Sequence, residues 1–168
     1  MNPVFLAFTT SDLSQYVGWP IEIGFASNQA DGSTKSWSTL IRPSDNWDVK
    51  KWSTYAQRGH GIEFDDLLKA PAPADAAVRI VNIVDAQRCT LVVLDKQNDH
   101  RLLNMLLAEL PDARKIMVIS FDELLGARNL TAPRLERVNR YYQRTQNVLR
   151  AEASAAAMAY AYKQADIT

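Results

Sequence analysis

The chain has 168 residues, of which 47% are hydrophobic and 23% are charged, so it holds enough apolar side chains for a buried core. Its length and composition predict one domain spanning residues 1–168 and exclude an intrinsically disordered chain. Because 19 basic residues balance 19 acidic ones, the net charge gives no overall attraction to nucleic acid or to anionic lipid. Binding to either would need a local patch of basic residues.

The first third of the chain is predicted to form an antiparallel meander of three strands. Short apolar runs at residues 4–8 and 21–26 are typical of buried strands. Asp31 and Gly32 form a hairpin-type turn signal, and the alternating residues 35–41 predict a third strand that ends before Pro43.

The rest of the chain predicts helices that alternate with two more strands. Helices are expected over residues 48–58, 74–86, 97–110, 133–146 and 149–163. Apolar periodicity predicts the second and third, a proline in the first turn the fourth, and alanine richness the fifth. Asp95 stands where the N-cap of the third of these helices belongs. Apolar runs at residues 90–94 and 115–119 predict the last two strands. We therefore expect an α/β fold with a five-stranded mixed sheet flanked by helices, although this pattern leaves the strand order open.

The numbers of cysteines and histidines and the lengths of the apolar runs argue against a zinc-binding, membrane-spanning or secreted protein. Cys89 is the only cysteine, and together with His60 and His100 it leaves too few ligands for a structural zinc site. No apolar run reaches the ~20 residues of a membrane-spanning helix. The N-terminal residues lack the basic and apolar regions of a signal peptide. We expect a cytoplasmic protein with no membrane partner.

Six segments can be compared with the motifs of known families. They are residues 7–13 (A-F-T-T-S-D-L), 20–24 (P-I-E-I-G), 60–62 (H-G-I), 94–103 (L-D-K-Q-N-D-H-R-L-L), 118–125 (V-I-S-F-D-E-L-L) and 149–155 (L-R-A-E-A-S-A). In this order and spacing, the segments resemble motifs of the DEDDh 3′–5′ exonucleases. The resemblance extends over residues 4–162 and implies the ribonuclease H-like fold of that family.

The alignment with the family assigns individual residues to its functional positions. The family motif D-F-E-T-T-G-L places Ala7 and Thr9 at two of the four metal-binding acids. The motif H-N-x-x-F-D places Asp99 at the third acid. The motif H-x-A-x-x-D-A places Ser154 at the fourth acid and Leu149 at the general-base histidine. Asp99 alone keeps an acidic side chain.

The resemblance implies a mechanism for which most of the required groups are missing. The family uses two Mg²⁺ or Mn²⁺ ions ~4 Å apart, held mainly by carboxylates, to clamp the attacking and leaving oxygens of a phosphodiester. One carboxylate cannot hold two such ions, and leucine has no atom that accepts a proton. We therefore predict a degenerate, catalytically inactive exonuclease-like protein that needs no cofactor. Its cleft would bind single-stranded nucleic acid or a protein partner. A third hypothesis is a purely structural or oligomeric role as a homodimer, because many proteins of this fold pair as dimers.

The alternative hypothesis is an active Mg²⁺- or Mn²⁺-dependent 3′–5′ exonuclease with substitute ligands. Asp99 and Asp95 are the candidate metal ligands, because side chains four residues apart share one face of a helix. Glu22 and Glu152 would complete the set. We favour a capping role for Asp95 and expect Glu22, Glu152 and Asp12 to be solvated surface acids.

Two further features are candidates for contacts with nucleic acid. One is His60 in the H-G-I segment. The other is one side of the helix over residues 133–146, which carries Arg134, Arg137, Arg140 and Arg144 beside two tyrosines. We favour a structural role for His60 and a solvated helix face for the arginines, because the zero net charge gives no support to nucleic-acid binding. The tryptophans, Trp19, Trp37, Trp47 and Trp52, are expected to lie in the core or to cover a sheet edge.

Overall fold

The computed structural model describes residues 2–14, 16–112, 114–146 and 149–166. The strands of this part of the chain are β1 (Pro3–Thr10), β2 (Pro20–Asn28), β3 (Thr34–Leu40), β4 (Thr90–Val93) and β5 (Val118–Ser120). Its helices are α1 (Thr54–His60), α2 (Phe64–Leu68), α3 (Pro73–Gln87), α4 (Lys96–Leu107), α5 (Phe121–Gly126), α6 (Ala132–Thr145) and α7 (Ala151–Lys163), and a 3-10 turn follows at Gln164–Asp166.

The five strands form one mixed sheet in the order β3-β2-β1-β4-β5. The pairs β1–β2 and β2–β3 are antiparallel, whereas β1–β4 and β4–β5 are parallel. This confirms the predicted meander, the mixed five-stranded sheet and the α/β class, and it supplies the strand order. In the register of β1 and β2, Ala7 lies opposite Gly24 and Thr9 lies opposite Glu22. These four residues therefore share one face of the sheet.

Alternating side chains of β1 divide the core into two layers. Leu6 packs in the layer that contains the buried residues of α3 and α4. Phe5 and Ala7 point to the opposite face and pack with the buried residues of α5, α6 and α7. The second layer is the one that bears the candidate site. No helix in the described residues is long and apolar enough to cross a membrane.

Local capping explains where several helices begin. The Asp95 carboxylate accepts a hydrogen bond from the backbone N–H of Asn98, so the predicted N-cap of α4 is confirmed. The Ser53 hydroxyl caps α1 in the same way, so this helix covers Thr54–His60 instead of the predicted residues 48–58. The predicted strand at 115–119 is shortened to Val118–Ser120. The five-residue helix α2 was not predicted, because one turn and a half shows no helical periodicity in the sequence.

The tryptophans take the core and edge positions predicted for them. Trp19 is buried, and its ring packs against those of Trp47 and Trp52 with centroids 5.9 and 6.0 Å away. Trp37 packs on Phe25 and is covered by the Arg79 guanidinium, 3.6 Å from the ring centroid. None of these rings lines the candidate site.

Candidate functional site

A cavity of about 260 Å³ opens where the carboxyl ends of the parallel strands β1 and β4 meet α4, α6 and α7. All five positions that the alignment assigned to the family's functional groups line it: Ala7, Thr9, Asp99, Leu149 and Ser154. The other lining residues are Phe8, Thr10, Leu13, Leu94, Asp95, Tyr142, Gln146 and Met158. The carboxyl end of a parallel sheet is a common position for ligand sites in α/β folds.

Asp99 is the acid at the aligned positions, and it is held by the first turn of α4. Its carboxylate accepts a hydrogen bond of 3.1 Å from the backbone N–H of Asp95, next to the reciprocal bond from the Asn98 N–H to the Asp95 carboxylate. Burial raises the pKa of Asp99 to about 7, and the neighbouring Asp95 carboxylate acts in the same direction, while backbone N–H groups oppose it. Without a cation nearby, this carboxyl is therefore only partly ionised at neutral pH.

Thr9 contacts a buried carboxylate on the neighbouring strand. Its hydroxyl donates a hydrogen bond of 2.8 Å to Glu22 Oε2. Arg150 donates to both Glu22 oxygens, at 2.9 and 2.7 Å, and the Ala151 N–H donates at 3.0 Å. Burial alone would raise the pKa of Glu22, but the donors on Arg150, Ala151 and Thr9 together hold the pKa below its ordinary value.

The prediction that Glu22 is a solvated surface acid is therefore wrong. Its side chain is 1% exposed, because the register of β2 places it opposite Thr9 and beneath the start of α7. Gly24, two residues further along β2, allows this close approach: a Cβ atom there would lie 2.3 Å from the carbonyl carbon of Ala151. The missing side chain at Gly24 lets the backbone of α7 rest directly on the sheet.

The other candidate acids also have partners outside the cavity. Glu152 is half-exposed and accepts hydrogen bonds from the hydroxyls of Ser36 and Ser38, at 2.9 and 3.2 Å. The half-buried Asp12 accepts one from the Ser14 N–H at 2.7 Å within its own loop. Glu22 and Glu152 line a separate surface cavity with Arg150.

The donor set does not fit the two-metal centre of the fold family. In the described residues, no three side chains of His, Cys, Asp or Glu come together in a way that could hold a metal ion. Ala7 offers no ligand atom, and Thr9 and Ser154 offer hydroxyls in place of carboxylates, which hard dications prefer. Asp95 and Asp99 are the carboxylates on the cavity wall, and each is engaged in capping α4.

His60 is buried and does not line the cavity. Its side chain is 4% exposed, Nδ1 accepts a hydrogen bond of 3.0 Å from the Ile62 N–H, and the ring packs edge-on against Trp52. Burial lowers the pKa of His60 and the nearby Arg150 lowers it further, whereas Glu22 acts in the opposite direction. The candidate role of His60 in contacting nucleic acid conflicts with this burial, and the structural role that we favoured agrees with it.

The arginines of α6 do not line the cavity either. Arg134 and Arg137 are half-buried, and Arg140 and Arg144 are exposed. Tyr142 is the α6 side chain that reaches the cavity wall, and Arg140 and Arg144 each lie two residues from it, ~160° away around the helix axis. Arg140 forms an ion pair with Glu136. A nucleic-acid contact through these arginines stays a prediction.

Sequence analysis missed Arg150 and the exposed leucines of the cavity wall. A signal for Arg150 was present, because Glu22 lies in the otherwise apolar run of β2, and a buried acid requires a cationic partner. Nothing in the sequence marked Leu13 and Leu94 as residues of a site, since isolated exposed leucines are common on protein surfaces.

Comparison with solved structures identifies the fold. E. coli exonuclease I in complex with a dT13 oligonucleotide aligns over 96% of this chain and 40% of its own, with a TM-score of 0.65 and 11% identity. Cell-death related nuclease 4 aligns over 97% of this chain and 62% of its own, with a TM-score of 0.67 and 13% identity. The nuclease domain of 3′hExo, a DEDDh family member bound to rAMP, aligns over 98% of this chain and 90% of its own, with a TM-score of 0.62 and 12% identity.

By sequence, no protein-family model and no curated protein matches the chain. The chain spans about two fifths of the length of exonuclease I and less than two thirds of that of cell-death related nuclease 4. It corresponds in extent to the nuclease domain of 3′hExo. The alignments and the sheet order agree with the resemblance found in the motifs, and the chain has the fold of a DEDDh exonuclease.

Proposed function

We propose that this chain is a degenerate 3′–5′ exonuclease-like protein that does not hydrolyse nucleic acid and uses its remnant cleft for binding. The observation that carries this proposal is the composition of the cavity, in which Asp99 is the one acid at the four aligned positions. Ala7, Thr9 and Ser154 take the places of the other acids. The cavity contains the positions aligned with the family's catalytic residues, but most of the carboxylates that catalysis would need are not there.

Electrostatics supports the proposal. Two dications bring four positive charges, and the family offsets them with four carboxylates before a phosphate arrives. Here Asp95 and Asp99 supply at most two negative charges. A pair of Mg²⁺ ions would have to give up water ligands and would receive at most two carboxylates in place of four.

The residue at the position of the general base also supports the proposed loss of catalysis. Leu149 lies on the cavity wall where the family has its histidine, and a leucine side chain cannot accept a proton. His60 is buried away from the cavity, and the Glu22 carboxylate is already occupied by Arg150. Neither is positioned to replace the missing histidine.

The alternative, an active metal-dependent exonuclease, draws support from Asp99 alone. A carboxyl with a strongly raised pKa inside a cavity is typical of catalytic sites. Its proposed helpers Glu22 and Glu152 face a different cavity, and Asp95 caps α4. We therefore rank this alternative second.

The test is an incubation of the purified protein with end-labelled single-stranded DNA and RNA in Mg²⁺ and in Mn²⁺, with a chelator in parallel. We expect no shortening of either oligonucleotide. Shortening that the chelator abolishes and that disappears in Asp99→Asn would establish the active alternative.

Two occupants of the cleft are proposed, single-stranded nucleic acid and a protein segment. Exonuclease I is bound to oligonucleotides in its solved structures, which supports the first by likeness of fold. Binding to a labelled oligonucleotide at low salt, followed by fluorescence anisotropy, tests it. The cytoplasmic location and the homodimer remain proposals, which cell fractionation and light scattering would test.

A further inference from the structure

Three exposed leucines surround the mouth of the cavity. Leu13 is 44% exposed, Leu94 is 50% exposed and Leu149 is 47% exposed, and all three line the cavity although they come from separate parts of the chain. Exposed leucines are ordinary when they are scattered, but several around one opening form a continuous apolar surface. Phe8, Tyr142 and Met158 continue this surface into the cavity.

The loop after β1 extends the same apolar surface outward. Tyr16 is 44% exposed and Val17 is 41% exposed. The Tyr16 hydroxyl donates a hydrogen bond of 2.6 Å to Gln97 Oε1, which holds the loop against the start of α4, beside the cavity. We call Leu13, Tyr16, Val17, Leu94 and Leu149 the apolar rim.

The charged residues that line the cavity are acidic. Beside the apolar rim, Arg150 follows Leu149 and pairs with Glu22, and the Arg101 guanidinium donates a hydrogen bond to the Gly18 carbonyl. No lysine, arginine or histidine is among the described residues that line the cavity, whereas Asp95 and Asp99 are. Asp12 precedes Leu13 in the loop. Lys96 is the nearest cation in sequence to Asp95, and it pairs with Glu123 at 2.7 Å. Without metal ions, a phosphodiester that approaches this opening meets the carboxylates of Asp95 and Asp12, and a lysine or arginine is attracted to them.

The size of the cavity suits one side chain. At about 260 Å³ it lies below the ~300–1,000 Å³ that pockets for drug-sized ligands occupy. A large apolar side chain inserted into a small, well-packed apolar pocket is the usual anchor of a protein interface. The apolar walls, the acidic residues among them and the volume favour the same occupant.

We propose that the apolar rim and the cavity dock a segment of a partner protein that presents one large apolar side chain flanked by lysine or arginine. This inference rests on the proposed loss of catalysis, because a pair of bound dications would reverse the charge of the opening. It decides between the two occupants of the cleft in favour of protein.

The test is a titration of the ¹⁵N-labelled protein followed by amide chemical shifts, which detects weak binding. The probes are a short peptide with tryptophan between lysines, the same peptide with glutamates for lysines, the basic peptide with alanine for tryptophan, and a short oligothymidylate. We expect the basic tryptophan peptide to shift the amides of Leu13, Leu94 and Asp95. Its affinity should exceed that of each of the other probes by about tenfold, the effect of losing one anchor or its charge complement.

A matched pair of variants places the site. Leu94→Lys puts a cation on the apolar rim and should lower the affinity for the basic tryptophan peptide by about tenfold. Leu68→Lys makes the same change on α2, at a residue that is 53% exposed and lines a different groove, and should leave the affinity unchanged.

Three results would overturn the inference: no shifts at the rim with any peptide, equal affinity for the acidic and basic peptides, or tighter binding of oligothymidylate to the same amides. The oligothymidylate sample is also incubated with Mg²⁺ and checked for shortening. Shortening would overturn the proposed function itself, whereas preferential oligothymidylate binding without shortening would overturn this inference alone.

Discussion

Replacing Arg150 with methionine removes the cation that faces the buried carboxylate of Glu22. Methionine keeps most of the apolar stem of arginine, so the change is mainly one of charge and hydrogen bonding. Glu22 is 1% exposed and loses two of its four hydrogen-bond donors in this variant, keeping those of Thr9 and Ala151.

The size of the expected loss in the free energy of unfolding depends on how exposed Glu22 and Arg150 are. Removing one partner of a fully buried pair costs about 3–5 kcal/mol, because the remaining charge is left without compensation. The Arg150 side chain is 42% exposed, so water screens part of the interaction. We expect Arg150→Met to lower the free energy of unfolding by about 2–3 kcal/mol at pH 7.

Urea unfolding followed by tryptophan fluorescence measures this loss, and a second substitution isolates its cause. Glu22→Gln in the Arg150→Met background should restore about half of the lost stability, because it removes the uncompensated charge. Arg144→Met, at an exposed arginine of α6, is the matched control and should change stability little.

The effect of pH gives an independent check with a defined sign. In the wild type the pKa of Glu22 lies below its ordinary value of 4.5, so the pair stabilises the fold above that pH and loses this contribution as the pH falls. The difference between wild type and Arg150→Met should therefore shrink below about pH 4. A loss under about 0.5 kcal/mol at pH 7, or no recovery with Glu22→Gln, would refute the role given to this pair.

Two further changes test other parts of the structure. The pKa of Asp99 is raised to about 7, so the native state binds a proton that the unfolded state releases near pH 4, and wild-type stability falls between about pH 4 and pH 7. Asp99→Asn should remove this fall, gaining about 1–3 kcal/mol at pH 8 and nothing at pH 4 in urea unfolding; an unchanged pH profile would contradict the burial of this carboxyl. Gly24→Ala should cost about 2–3 kcal/mol, because its Cβ would meet the backbone of Ala151. Gly126→Ala is the control, since nothing lies within 4 Å of its Cβ, and equal effects at the two glycines would contradict the close approach of α7.

The fold was predictable from the sequence because its signals are local. Apolar runs mark the strands, Asp95 marks the start of α4, and the order of elements agrees with the family motifs. The residues around the cavity could also be predicted, since the resemblance to the DEDDh motifs assigned Ala7, Thr9, Asp99, Leu149 and Ser154, and the structure brings these five positions together.

What the sequence could not supply depends on contacts between distant residues. Glu22 and Arg150 are 128 residues apart, so the apolar run around Glu22 indicates that a cationic partner exists but not which residue supplies it. The raised pKa of Asp99 arises from burial in the folded state, which no local pattern reveals. The apolar rim likewise combines leucines that are separately unremarkable in sequence and become neighbours when the sheet and α7 assemble.

Binding of Mn²⁺, measured by calorimetry on the wild type and on a variant that carries Ala7→Asp, Ser154→Asp and Leu149→His, tests the loss of the metal centre most directly. Thr9 is kept in this variant, because an acid there would lie against the buried Glu22. We predict no Mn²⁺ site tighter than millimolar in the wild type and measurably tighter binding once the acids return. Two Mn²⁺ ions bound by the wild type in the micromolar range would contradict the account.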